Sequence, residues 1–145
     1  MSSLNDLLGP QREAVVADLS ALVENTVSNQ SGISGMALKG LVSAAKKVDG
    51  QIVSKGLNRL LPELATNLDP QWQGFHASGE SDFGAYLAAH KDEVVTSVLT
   101  VADKAAASSN IPALDKGYKA IRGKAGDFIG PVLPDLGALI VKHMS

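Results

Sequence analysis

Three histidines, His76, His90 and His143, are the side chains in this sequence best suited to metal or proton chemistry. His76 and His90, with Glu80 and Asp82 between them, are close enough in sequence to supply the nitrogen and oxygen ligands of a zinc site. No two of the histidines are spaced to share a helix face, and the plainer reading is a set of polar residues around an exposed loop. Asp92 and Glu93 are the nearest approach to an acid/base pair. Neighbouring helix positions diverge by about 100°, so their expected work is to complement the amino end of a helix starting there. There is no cysteine, which removes thiolate catalysis, disulfides and cysteine-ligated metals. No two of the fourteen glycines stand two residues apart, so a G-x-G-x-x-G dinucleotide loop is absent. Phosphate-loop, nucleophile-elbow and H-E-x-x-H patterns are absent too. The sequence predicts no cofactor and no catalytic constellation.

Three groupings remain that could bind something. Trp72, Phe75, Phe83 and Tyr86 are four of the six aromatic residues and flank the ASGES stretch at 77–81. They could line a pocket for a small apolar ligand, or serve as core anchors of short helices, which is the more economical account. Lys116, Lys119, Arg122 and Lys124 cover the side of one helix opposite its apolar stripe. That face could dock phosphate or an acidic partner; a solvated outer face, diluted by Asp115 and Asp127, is the plainer account. Gly123, Gly126 and Gly130 share an arc of about 60° on the same helix, where each glycine costs roughly 0.5–1 kcal/mol relative to alanine. Either another backbone approaches there, within the chain or across an oligomer interface, or the helix bends and Gly130 stops it.

These side chains must be positioned by helices, because pattern and punctuation read as helix almost throughout. Gly9-Pro10 opens the first long one. In it Val15, Val16, Leu19, Leu22, Val23 and Val27 fall on one arc of about 140°. A second helix is expected from a cap near Ser34 to about Val48, with Met36, Leu38, Leu41, Val42 and Ala45 as its apolar face and Lys46 and Lys47 in its last turn. A third is expected from Gln51 to Leu60 and to stop before Pro62. New segments are then expected at Pro62 and at Asp69-Pro70. A short helix around Phe83–Leu87 precedes a longer one from Lys91 to Ala107, whose valines and threonines leave a strand as the lesser alternative. After a break at 108–110, a helix over 112–129 carries Leu114, Tyr118, Ile121, Ala125, Phe128 and Ile129 on one stripe. Pro131 or Pro134 starts a last segment to Lys142. Its apolar residues, from Val132 to Met144, need a partner surface, by default the domain's own core. The expectation is one all-α domain, 1–145, of six to eight helices.

The segments PQREAVVADLSALVE (10–24), SGISGMALKGLVSAAKKV (31–48), LPEL (61–64), DFGAYLAAHKDE (82–93) and PALDKGYKAIRGKA (112–125) resemble, in this order, a family of small actinobacterial proteins classed only as a domain of unknown function. The resemblance implies a cytoplasmic protein of a mycobacterial or corynebacterial kind of bacterium and carries over no functional residue.

Composition sets the outer bounds. The 145 residues are 45% hydrophobic and 19% charged with a formal net charge of −2, which fits one folded domain and not a disordered chain. Near-neutral charge predicts no nucleic-acid partner. The middle of the chain, 61–110, carries two basic and seven acidic side chains. No secretory signal and no membrane span is visible, so a cytoplasmic protein is expected. The leading expectation is a non-enzymatic helical protein acting by self-association or protein–protein contact, with a homo-oligomer as one form. The alternative is a carrier or sensor holding a small apolar or amphiphilic ligand between its helices.

Overall fold

The computed structural model describes residues 3–108 and 112–144, without the side chains at 34, 108, 113 and 114. In chain order it contains a 3-10 turn at Leu4–Leu8, α1 (Arg12–Ser28), α2 (Gly32–Val48), α3 (Ile52–Ser78), α4 (Phe83–Ala89), α5 (Lys91–Ser108), α6 (Pro112–Ile121), a 3-10 turn at Arg122–Lys124, α7 (Ala125–Ile129), a 3-10 turn at Gly130–Val132 and α8 (Leu133–Met144). No strand occurs among the described residues. The all-α expectation holds, and the valine-rich segment from Lys91 is helix. Of the break expected at 108–110, Ser108 still belongs to α5, and 109–110 lie outside the described residues.

The longest element corrects the sequence reading. α3 runs unbroken through both Pro62 and Pro70. A proline inside a helix removes the hydrogen bond to the carbonyl four residues back, which for Pro62 is that of Asn58. Here Arg12 replaces the missing donor: its Nη2 donates to the Asn58 carbonyl at 2.6 Å and its Nε to the Asn58 side-chain oxygen at 2.9 Å. Burial holds the rest in line. Leu61, Ala65, Leu68, Trp72 and Phe75 are all buried, and their 4-3-4-3 spacing passes straight across both prolines as one stripe. α3 ends at Gly79, whose φ of +78° is the left-handed conformation that suits a glycine terminator.

α3 is the axis of the fold, with α1, α5 and the first 3-10 turn packed along it. Asp69, on α3, accepts hydrogen bonds from the Leu4 amide (2.9 Å) and the Ser3 hydroxyl (3.2 Å), which seats Leu4 and Leu7 in the core. α8 closes the core over α1 and α4. Leu133, Leu136 and Ile140 are buried there and Leu139 and Met144 pack beside them, so the apolar final segment finds its partner in the domain's own core. α4 and α8 meet backbone to backbone. A methyl group on Gly84 would lie 2.5 Å from the Pro134 carbonyl oxygen, and one on Gly137 would overlap the Gly84 backbone.

The helix expected over 112–129 is instead broken into α6, a tighter turn and α7. Gly123 sits in that turn, and added methyl groups at Gly123 and Gly126 would meet nothing within 4 Å. Bending, not close backbone packing inside the chain, accounts for them. Gly130 caps α7 in right-handed helical geometry and leads directly into the next turn. Tyr118 and Ile121 face inward as expected, while the side chain of Leu114 lies outside those described.

Candidate functional site

The four aromatic residues come together. Trp72 meets Phe83 edge-on with centroids 5.0 Å apart, Phe75 lies 5.1 Å from Phe83 and 5.8 Å from Tyr86, and all four are buried. The Tyr86 hydroxyl rests over Gly74, where a side chain would collide with it. His76 packs edge-on against Trp72 at 4.4 Å. His90 stacks on Tyr86 at 4.2 Å and donates from Nδ1 to the Tyr86 carbonyl at 2.9 Å. Asp82 caps α4 by accepting from the Ala85 amide. The candidate zinc ligands therefore do not converge, and no group of three metal-ligating side chains occurs among the described residues. The enclosed space among Leu4, Leu7, Val15, Leu19, Leu61 and Ile140 is apolar and about 10 Å³, room for one water at most.

Asp92 and Glu93 occupy the first turn of α5, as expected from their charge. Glu93 also accepts a hydrogen bond from the buried Gln71 at 3.0 Å, tying α5 to α3. His143 forms the one close histidine–carboxylate contact among the described residues. Its Nε2 donates to Asp18 at 2.6 Å and its Nδ1 lies 3.2 Å from the Gln11 side-chain oxygen. With Lys142 on the same carboxylate at 3.1 Å, the hydrogen bond from His143 holds Asp18 below the usual carboxylate range. Both ring nitrogens are engaged and the ring is buried, so the contact latches α8 to α1.

The expected basic face is divided by the break after α6. Lys116 is exposed and forms no ion pair among the described residues, and Lys119 pairs with Asp115 one turn back at 3.1 Å. Arg122 turns away toward α5, where it grips Asp103 with two hydrogen bonds of 2.8 and 2.9 Å. Tyr118 donates to the same carboxylate at 2.6 Å. Arg122 first and Tyr118 second hold Asp103 down at about 2. Tyr118 is itself pushed up to about 12, chiefly by burial. Gly123 and Gly126 lie beside this cluster with open space before them.

The most exposed apolar surface lies on α2, whose outer side the sequence reading overlooked. Met36 was expected on the buried face and is 71% exposed; Ile33 is 91% and Val48 62% exposed. At 100° per residue Ile33, Met36, Ala37, Gly40, Ala44 and Val48 fall on one arc of about 120°. Lys47 is the only charged residue within it. α6 packs along one edge of this arc, where Leu41 fills the space over Gly117, and α1 lies on the far side, where Lys46 pairs with Glu24. An open groove of about 350 Å³ runs beside it between α1 and α2, with Lys39, Val42 and Lys46 on one wall and Glu24 and Val27 on the other. α2 is thus apolar on two sides and covered on one. Its lack of any acidic residue over 32–48 was the signal available in the sequence, which assigned one apolar face and left Ile33 and Val48 unexamined.

The chain matches no curated protein and no solved structure. A family model covers residues 4–144, nearly the full length on which this fold is built. The chain belongs to that family, a family of unknown function (DUF6918).

Proposed function

We propose that this protein is a non-enzymatic helical module that acts by association, with the outer face of α2 as its docking surface. The carrying observation is the exposure of Ile33, Met36 and Val48 along one side of a helix whose other side is already packed. Large apolar side chains on a helix normally face a packed surface, and an exposed apolar patch marks a place where another surface sits. The groups with proton chemistry fit this reading: His90 and His143 are held by the hydrogen bonds described above, and His76 rests exposed against the Trp72 ring.

A photoreactive benzophenone side chain placed at Ile33 in the cell tests the reading without assuming a partner, since it cross-links to protein or lipid alike. The expected result is a specific adduct from position 33 and none from exposed Glu80 in the loop after α3. Equal yields from the two positions, or none from either, overturn it.

A further inference from the structure

Resting on that reading, we propose that the outer face of α2 docks on a bilayer rich in acidic lipids, with Ile33, Met36 and Val48 entering the interface and lysines meeting the headgroups. The first argument is charge. α2 and α6, which packs against it, carry five basic side chains and one acidic one, Asp115; the rest of the chain carries eight and fourteen. Lys39, Lys47 and Lys116 form no ion pair among the described residues. A chain that is slightly acidic overall thus concentrates positive charge around its most exposed apolar residues. Two such faces meeting in a symmetric dimer would set like charges against each other, whereas an anionic surface is attracted to them.

The second argument is shape. Ile33 and Met36 stand almost clear of the molecule one turn apart, and Val48 follows about 22 Å along the axis. This is a convex ridge. A protein partner would need a groove cut to fit it, while a fluid bilayer closes around protruding apolar side chains without one. No helix among the described residues is long and apolar enough to cross a membrane, so the protein would lie on the surface.

Flotation of the full chain with vesicles of equal parts phosphatidylglycerol and phosphatidylcholine, against phosphatidylcholine alone, tests the proposal. The expected result is binding to the acidic vesicles only, weakened at least tenfold by raised salt or by K47Q/K116Q. The I33S/M36S variant, in which two exposed side chains change, keeps its helical circular dichroism and loses binding. The G40A variant binds as well as the unaltered chain, because a bilayer needs no close backbone approach. Failure of the folded protein to float, or flotation retained by I33S/M36S, overturns the proposal. A dimer abolished by G40A, or cross-links from position 33 that run only to protein, also overturns it while leaving the association reading standing. Absence of any cross-link from position 33 overturns both.

Discussion

The α4–α8 crossing and the outer side of α2 use the same kinds of residue to opposite ends. At the crossing, Gly84 and Gly137 let two backbones touch, and Phe83, Leu87 and Leu133 around them are shut away from water. On α2, Gly40 stands among Ile33, Met36 and Val48 with nothing within 4 Å of where its side chain would begin. Glycine and large aliphatics hold the fold in one place and are left over in the other. Residue type does not mark the difference; what lies opposite does.

The comparison breaks if glycine substitutions behave alike in the two places. Gly137→Val drives a branched side chain into the Gly84 backbone, which cannot step aside, and should cost more than about 4 kcal/mol. Thermal melting should then show a largely unfolded chain at room temperature. Next in size, Leu133→Ala leaves a void in the core and should cost about 2–5 kcal/mol by urea titration. Ile33→Ser, nominally as drastic, should stay within about 0.5 kcal/mol of the unaltered protein.

The prolines of α3 sharpen the same contrast on a smaller scale. Arg12→Ala leaves the exposed Asn58 carbonyl to water and should cost about 0.5–1 kcal/mol. In a Pro62→Ala background the backbone supplies that donor, so the Arg12 effect should shrink, and a double-mutant cycle reads the difference. Of similar size, Gly40→Ala on α2 should gain about 0.5–1 kcal/mol, since alanine is the better helix former and nothing obstructs it.

The smallest expected effect is a slope. Asp18 is depressed below its ordinary 3.8 in the folded chain, so its contribution is present above that value and lost as pH falls through the folded one. Denaturation midpoints should decline less steeply below about pH 4 in His143→Ala, because the hydrogen bond that depresses Asp18 is gone.

How much of this was legible in the sequence depended on where each partner lay. Val15, Val16 and Leu19 on α1 and Val94 and Val101 on α5 announced themselves by helical spacing, which is local. Lys46 and Lys47 in the last turn of α2 were equally readable. Pro62 misled because its remedy, Arg12, stands fifty residues earlier, although the Leu61–Phe75 stripe already ran across both prolines. Gly123 and Gly126 drew attention by their spacing, yet the glycines that matter for packing are Gly84 and Gly137, which no short-range pattern connects. The aromatic group was visible as a group; that its rings pack against one another and against two histidines was not. The second face of α2 was legible by counting around the helix, where Ile33, Ala37, Gly40 and Ala44 recur at four- and three-residue steps.

The position of α8 in chain order sets a condition on synthesis. A ribosome delivers α1, α3 and α4 before the helix that covers them, so Leu4, Leu7, Leu19, Phe83 and Leu87 emerge with one wall of their enclosure missing. Until residues 133–144 leave the exit tunnel, the nascent chain presents an open apolar trough to chaperones and proteases. Any product that stops short of Leu133 keeps that trough open, because the order of the helices puts its cover last.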